Sequence, residues 1–218
     1  METTRPHHHQ DNTMLLTKLY EASMEGCVAT LSSLIQKDPL LLSKISLTPF
    51  SETPLHISAL LGHLHFTEQI LSHNPTGPIL ASHVDSFKRS PLHLASAEGH
   101  AQIVHALLQV NVDVCLIRDQ ELRLPLHYAA MRGHVRVIEL LVGARPESIF
   151  EMLAEGESVM HLCVRYNQLE ALRVLVESMG YQNDKFLNMK DRDGDNTILH
   201  LAVMLKQIEA SLFTYYFI

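Results

Sequence analysis

The chain has 218 residues, of which 46% are hydrophobic and 19% are charged, a composition typical of a folded protein rather than a disordered one. Its formal net charge of −7 argues against a broad basic surface for nucleic acid or anionic lipid. The three cysteines, Cys27, Cys115 and Cys163, lie far apart without a Cys-x-x-Cys pair. This spacing disfavours a zinc site or a disulfide framework and fits a reducing, intracellular compartment.

The first segment, residues 1–13, reads METTRPHHHQDNT and lacks the apolar region of a signal peptide. We expect it to be a disordered tail. Its three successive histidines, His7, His8 and His9, do not define a closed tetrahedral metal site, so we predict no metal there. No stretch of the chain approaches the roughly 18 apolar residues that span a bilayer.

The next segment repeats itself. Pro-Leu-His occurs at residues 54–56, 91–93 and 125–127, each time with Gly-His at the same distance downstream. The histidine of each triplet serves as an anchor for aligning the copies, and weaker copies surround His161 and His200. An opening copy has Tyr20 at the anchor position, and successive anchors are 34 to 39 residues apart. A fixed period of this length predicts a stacked repeat architecture.

Each copy predicts two helices joined by a tight turn. Thr53 or Ser90 can cap the first helix, and the following proline suits its first position. The helix is expected to end at a glycine six residues after the anchor, because glycine accepts a left-handed conformation, and Asn167 takes that place in the fifth copy. A second helix follows with apolar residues at i, i+1, i+4 and i+5, such as Ile103, Val104, Leu107 and Leu108. Such pairs bury their apolar faces only by stacking on neighbours.

The segments TPLHISALLGH, SPLHLASAEGH and LPLHYAAMRGH closely resemble the ankyrin repeat signature. The resemblance implies an all-α solenoid of helix-turn-helix units with short hairpin fingers. It covers residues 14–209 and comprises about five full repeats plus an irregular C-terminal one. Ankyrin arrays bind other proteins and carry catalysis only through an attached domain, so the resemblance implies a non-catalytic interaction module without a cofactor.

Several stretches, including ETPLHISALLGH and DRDGDNTILHLAV, also resemble the plant family of ankyrin proteins that end in a PGG-type transmembrane domain. That resemblance implies a role in signalling or in defence and stress responses. It also implies a cytoplasmic location, or the cytosolic face of the plasma membrane through longer family members or partners. The PGG segment and the membrane spans are absent from this chain, so membrane anchoring is not implied.

The last segment, residues 210–218, departs from the repeat. Polar Ser211 and Thr214 occupy positions that are mostly apolar in the middle copies. Leu212 and Phe213 are shifted off the apolar face of the second helix, which we call its apolar seam. We therefore expect an irregular apolar tail. Two interpretations remain open: a truncated or alternatively spliced product that competes with a longer sibling, or an apolar hook for self-association or for a membrane.

Fifteen histidines raise the question of metal binding or catalysis, but the repeat accounts for eight of them. The resemblance implies that the anchor histidine hydrogen-bonds to the backbone of the adjacent turn. No G-x-S-x-G, phosphate-binding loop or H-E-x-x-H motif is present. DRDGD at 191–195 lacks the later glutamate of a calcium loop and is expected to form a finger. The structural anchors are predicted to be His56, His93, His127, His161 and His200.

The remaining candidate site is the surface that the resemblance places at the finger tips and the exposed ends of the first helices. Arginine and lysine side chains there, with apolar neighbours, suit an acidic protein segment that carries one or two apolar anchors. The alternative is a solvated face of mixed charge, because Glu98 and Glu121 lie nearby. No nucleic acid or small-molecule substrate is expected. The predicted binding residues are Phe87, Lys88, Arg89, Arg123, Met131, Arg132, Arg165 and Tyr166.

Overall fold

The computed structural model describes residues 7–45, 51–154, 156–179, 184–192 and 194–217. The regular secondary structure within these ranges is helical, without a strand. The helices in chain order are α1 (His7–Glu25), α2 (Val28–Lys37), α3 (Leu41–Ile45), α4 (Pro54–Leu61), α5 (Leu64–Leu71), α6 (Thr76–Ser82), α7 (Pro91–Glu98), α8 (Ala101–Val110), α9 (Pro125–Arg132), α10 (Val135–Ala144), α11 (Val159–Arg165), α12 (Leu169–Met179), α13 (Asp184–Leu187), α14 (Ile198–Met204) and α15 (Ile208–Phe217), with 3-10 helices at Val112–Leu116 and Pro146–Phe150.

The first helices of the six repeats, α1, α4, α7, α9, α11 and α14, stack on one another in chain order. They pack closely because the residues two and three positions after the anchor are small, as Ala95 and Ser96 are in α7, and both are fully buried. The second helices, α2, α5, α8, α10, α12 and α15, form the other layer. The expected all-α solenoid is confirmed.

The turn between the two helices takes a left-handed conformation in each repeat. Gly99 has a φ of 78°, and the corresponding Asn167 has a φ of 55°. The sixth repeat uses Lys206 at this place, with a φ of 57°. A lysine adopts this conformation at a steric cost, so the turn is imposed by the packing of α14 and α15 and does not depend on glycine.

The second helices bury the apolar seam that their sequence predicts. In α8 the side chains of Ile103, Val104 and Leu107 are at most 1% exposed, and they face α5, α7 and α10. One continuous apolar core runs from Leu19 in α1 to Ala210 in α15. Stability of such an array accumulates from neighbour to neighbour, because each repeat contacts mainly the repeats on either side.

The N-terminal segment differs in part from the expectation of a disordered tail over residues 1–13. Helix α1 begins at His7, and residues 1–6 lie outside the described residues. Neither proline nor glycine interrupts residues 7–25, so the helix that Leu19 and Ala22 anchor in the core extends towards the N-terminus.

The C-terminal segment also differs from the expectation of an irregular tail over residues 210–218. Helix α15 extends from Ile208 to Phe217, and Ile218 lies outside the described residues. Ala210 and Thr214 are buried against the preceding elements, and the hydroxyl of Thr214 donates a hydrogen bond of 2.8 Å to the carbonyl of Ala210. The inner face of α15 thus continues the apolar seam of the second helices. Its side chains are small, so it buries less apolar area than the middle repeats do.

Among the described helices, none combines the length and the hydrophobicity that crossing a bilayer requires.

Candidate protein-binding surface

The anchor histidines join each repeat to the next one. In His56 the Nδ1 atom accepts a hydrogen bond of 3.2 Å from the backbone N–H of Thr53, which lies at the start of its own helix. This contact leaves the proton on Nε2, which donates to the carbonyl oxygen of Arg89 at 3.0 Å. His93 and His161 form the same pair of contacts, reaching the carbonyls of Arg123 and Asn196 at 3.2 Å.

Two repeats make the hydrogen bond from the anchor position to the next repeat in another way. Tyr20, which stands at the anchor position of the first repeat, donates from its hydroxyl to the carbonyl of Glu52 at 2.8 Å. His127 reaches the carbonyl of Glu151 at 3.3 Å, six residues before the carbonyl that the repeat spacing would select. The segments after α8 and α10 have the same length and each contains a 3-10 helix, so neither feature accounts for the different carbonyl.

His200 is the exception among the predicted anchors. Its Nδ1 lies 2.8 Å from the hydroxyl of Thr197, as in the other repeats, but its side chain is exposed. Its Nε2 atom forms no hydrogen bond with any described residue, whereas the other anchors each reach a carbonyl in the following repeat.

A second set of bonds runs in the opposite direction along the array. The histidine that follows the turn glycine points back to the first helix of the preceding repeat, where His63, His100 and His134 approach the carbonyls of Met24, Leu60 and Ala97 at 2.9 to 3.1 Å. Gln207 makes the equivalent contact to the carbonyl of Val164 at 2.7 Å. Repeats two to five are therefore each held by side-chain hydrogen bonds to both neighbours.

Burial keeps the imidazoles of the four buried anchors neutral. It lowers the pKa of His56, His93 and His127 from 6.5 to about 4 and outweighs the carbonyl hydrogen bonds that favour the charged ring. The pKa of His161 is lowered for the same reason. A neutral imidazole that uses both nitrogens for backbone contacts has no free lone pair for a metal, and the described residues contain no cluster of three metal-ligating side chains.

The fingers before the third and fourth repeats are each built on a buried aspartate that was not predicted from the sequence. The Oδ1 atom of Asp85 accepts backbone hydrogen bonds from Phe87 and Arg89, both at 2.8 Å. Asp119 does the same for Glu121 and Arg123 at 2.8 Å. The signal was present in the sequence, because Asp85 and Asp119 both lie eight residues before an anchor histidine.

Asp191 builds the last described finger in a similar way. Its Oδ1 atom accepts hydrogen bonds from the backbone N–H groups of Gly194 and Asn196 at 3.1 and 2.8 Å. Burial acts to raise the pKa of Asp191, but these hydrogen bonds outweigh it and the pKa lies below its usual value. The carboxylate therefore serves the turn of its own finger.

Adjacent fingers contact each other directly. The backbone N–H of Gln120 donates to the carbonyl of Phe87 at 3.0 Å, and the side-chain amide of Gln120 donates to the carbonyl of Ser86 at 2.6 Å. These bonds hold the tips of the third and fourth fingers side by side. Phe87 and Leu122 are left pointing outward, with Phe87 56% exposed.

The five predicted basic residues form what we call the basic strip: Lys88, Arg89, Arg123, Arg132 and Arg165. Four of these five cations pair with acidic side chains. The Nη2 atom of Arg89 lies 2.7 Å from the Oδ2 atom of the buried Asp85. The guanidinium carbon of Arg89 lies 4.8 Å from the ring centroid of Phe87. Arg123 pairs with Glu121 at 2.5 Å. Both arginines are mostly shielded and are tied to their own fingers.

The other two arginines of the strip are more exposed. Arg132 lies 4.0 Å from a carboxylate oxygen of Glu98, a long contact between the same positions of neighbouring helices. Arg165 pairs with Glu157. Lys88 makes no ion pair with a described residue. The strip is thus a face of mixed charge with exposed aromatic residues, Phe87 and Tyr166, beside it.

The surface also has an apolar part just before the turn glycines, and of its residues only Met131 was predicted from the sequence. The two residues just before the turn glycine are exposed in most repeats, and in the second repeat they are Leu60 and Leu61, 40% and 48% exposed. Met24 occupies the corresponding place in α1 and Met131 in α9. These residues lie in the same register of adjacent stacked helices, because His63 and His100 bond to the carbonyls of Met24 and Leu60 in the same way.

The cysteines take no part in a site of this kind. Cys115 and Cys163 are buried, and burial raises the pKa of Cys115 to about 12. Cys27 is partly exposed and its sulfur lies 3.0 Å from the hydroxyl of Thr30, a hydrogen bond that lowers its pKa.

Comparison with known families gives one match, which covers most of the chain. The family model for ankyrin repeats matches three times, at residues 19–118, 78–149 and 126–213. No curated protein matches the chain at a significant level.

Proposed function

The chain belongs to the ankyrin-repeat family, and on this premise we propose that it acts as a protein–protein interaction module that presents its concave face to a partner. The observation that supports the proposal is the contrast between neighbouring positions of the first helices. The anchor and the three residues after it are mostly buried, while the fourth and fifth residues are mostly exposed and differ from one repeat to the next. The buried positions thus keep the repeats stacked, while the two exposed positions vary from repeat to repeat. This combination suits recognition of a specific partner.

The exposed residues on this face suggest what the partner offers. Leu60, Leu61, Phe87 and Tyr166 provide apolar and aromatic contact area, the type of residue that dominates binding energy at interfaces. Arg132 and Lys88 provide charges that are weakly engaged or unpaired among the described residues, and these charges favour acidic side chains in the partner. Arg89 and Arg123 hold the fingers in shape, so we assign them to positioning.

Binding by such a face has a low entropic cost. The fingers are closed by buried aspartates and the repeats are joined by histidine hydrogen bonds, so little of the scaffold needs to be ordered on binding. We therefore propose rigid-body recognition of an exposed protein segment, with apolar side chains of the segment seated near Leu61 and Tyr166.

The biological setting rests on the resemblance to the plant ankyrin family with a PGG transmembrane domain. On that basis we propose a role in cytoplasmic signalling in defence or stress responses. The alternative is a competitor that occupies the partners of a longer, membrane-anchored relative. Transcripts that encode a longer product continuing after Glu209 would favour the alternative.

The test is partner capture from a lysate with charge-reversed protein. R132E combined with R165E should reduce capture at least tenfold relative to the parent chain, and Y166A should reduce it further. The matched control is R136E, because Arg136 is also exposed and pairs with Glu139 at 2.8 Å, but lies on a second helix. Equal capture by the parent chain and by R132E/R165E would remove the concave face from consideration.

A further inference from the structure

Helix α15 has a buried inner side and an exposed, apolar outer side. Its inner side contains Ala210 and Thr214, which are 4% and 1% exposed. Its outer side contains Ile208, Leu212, Tyr215 and Tyr216, which are 54% to 81% exposed. These four residues are spaced four, three and one apart, so they lie along one stripe of the helix. An exposed apolar patch of this kind marks an interaction site.

Two residues of the outer stripe, Leu212 and Tyr216, are specific to the last repeat, whereas the positions of Ile208 and Tyr215 are apolar in repeats two to five as well. The residue twelve positions after the anchor is Glu68, His105, Glu139 and Arg173 in repeats two to five, and it is Leu212 in repeat six. The residue sixteen positions after the anchor is polar or glycine in those repeats and Tyr216 in the sixth. Described residues elsewhere in the chain do not cover this stripe, so it is an unpartnered helix face.

We propose that this stripe, Ile208, Leu212, Tyr215 and Tyr216, is a self-association surface through which two copies of the chain pair their α15 helices antiparallel about a twofold axis near Leu212. The inference rests on α15 alone and is independent of the proposed function of the concave face. In this arrangement Ile208 of one copy lies against Tyr216 of the other, and the two Leu212 side chains meet at the axis. An isologous contact of this type is closed and stops at two copies.

Charge supports a second copy as the occupant. Glu209 is the single ionisable acidic or basic residue between Ile208 and Phe217. In an antiparallel pair the two Glu209 carboxylates lie at opposite ends of the contact, where each can accept a hydrogen bond from the hydroxyl of Tyr215 in the partner copy. The helix dipoles also oppose each other. A membrane surface fits less well, because interfacial helices carry lysine or arginine beside the apolar face and α15 itself contains neither. The nearest cations, Arg173 and Lys206, lie outside this helix.

The available area is close to that of a small dimer interface. A full aromatic side chain covers about 150–250 Å², so the two tyrosines, Ile208 and Leu212 together expose on the order of 500 Å². Val203 on α14 is 59% exposed beside them, whereas the corresponding Ala59, Ala130 and Val164 are buried. With this residue the surface reaches about 600 Å² per copy, which corresponds to the low end of specific interfaces.

The first experiment measures the mass of the full chain in solution by analytical ultracentrifugation. The monomer mass is 24.6 kDa, and we expect twice that mass at protein concentrations of about 100 μM. The variant L212D/Y215D should sediment as a monomer at the same concentration with an unchanged helical spectrum. The control L61D alters an equally exposed leucine on the concave face and should remain dimeric. A monomeric parent chain, or a dimer unaffected by L212D/Y215D, would overturn the proposal.

The second experiment locates the axis and does not depend on the folding of the charged variant. In a C27S background, L212C should form a disulfide between two copies under mild oxidation, because the two positions face each other at the axis. E139C is the matched control at the same position of repeat four and should remain unlinked. Three outcomes would contradict the antiparallel pair. Both variants could link equally, or the chain could form larger assemblies without a limit. The chain could also sediment with phosphatidylcholine vesicles and not dimerise.

Discussion

The hydroxyl of Tyr20 donates a hydrogen bond of 2.8 Å to the carbonyl oxygen of Glu52. Glu52 lies four residues before the anchor His56, as Arg89 lies four residues before His93 and Arg123 before His127. A tyrosine therefore contacts the next repeat at the place where the histidines of later repeats do. The residue that breaks the motif in the sequence preserves the contact in the structure.

Tyr20→Phe should lower the free energy of unfolding by about 1 kcal/mol, because it removes one hydroxyl and leaves the carbonyl of Glu52 without this donor. Amide hydrogen exchange should increase mainly in α1 and α4, since the contact joins these two repeats. Tyr20→His should recover part of the loss. Equal protection in the parent chain and in Tyr20→Phe would contradict a bracing role.

Acid should destabilise the array between pH 6.5 and about 4. The pKa values of His56, His93 and His127 are about 4 in the folded chain and 6.5 when unfolded. In this window the unfolded chain binds protons that the folded chain does not, so the free energy of unfolding falls as the pH falls, and these groups add no further loss below pH 4. Each contributes at most about 3 kcal/mol.

Urea unfolding at a series of pH values measures this effect. His93→Gln should make the pH dependence shallower than in the parent chain, because it removes one of the three imidazoles. A stability that stays constant from pH 7 to pH 4.5 would show that the anchor histidines do not remain neutral in the fold.

Gly99→Ala should destabilise the chain by about 1–2 kcal/mol, because Gly99 has a φ of 78° and an added Cβ would lie 2.7 Å from the ring of His134. The control is Gly143→Ala within α10, where an added Cβ meets no atom within 4 Å. That change should leave the stability unchanged or raise it by up to about 1 kcal/mol. Thermal unfolding of both variants provides the comparison, and the same sign for both would contradict the argument.

Asp119→Ala should cost about 3 kcal/mol or more, because the carboxylate accepts two backbone hydrogen bonds and a third of 2.6 Å from the hydroxyl of Tyr128. Burial and the contact with Asp119 raise the pKa of Tyr128 to about 12, so spectroscopic titration should find a lower value in the variant. Glu121→Ala removes an exposed carboxylate from the same finger and should cost less than about 1 kcal/mol. Similar losses for both would argue against a finger built on Asp119.

Much of the fold follows from local sequence. The spacing of Pro-Leu-His, the turn residue six positions after the anchor and the apolar seam of the second helices predicted two helices per repeat and the stacking of six repeats. These features are local, because a cap, a left-handed residue or an amphipathic period acts within a few residues of itself. The substitution of Asn167 for glycine was interpretable for the same reason.

The charge of the surface was decided by the tertiary structure. The sequence showed Arg89, Arg132 and Arg165 as basic residues on one side of the array, but it did not show which carboxylates the finger turns and neighbouring repeats bring within 4 Å of them. The outer stripe of α15 was hidden for a related reason. Leu212 was interpreted as lying off the seam, and only the helix that Ala210 and Thr214 anchor on the inner side places it together with Tyr215 on the opposite side. Local conformation is encoded by neighbours in sequence, whereas ion pairs and exposed faces depend on neighbours in space.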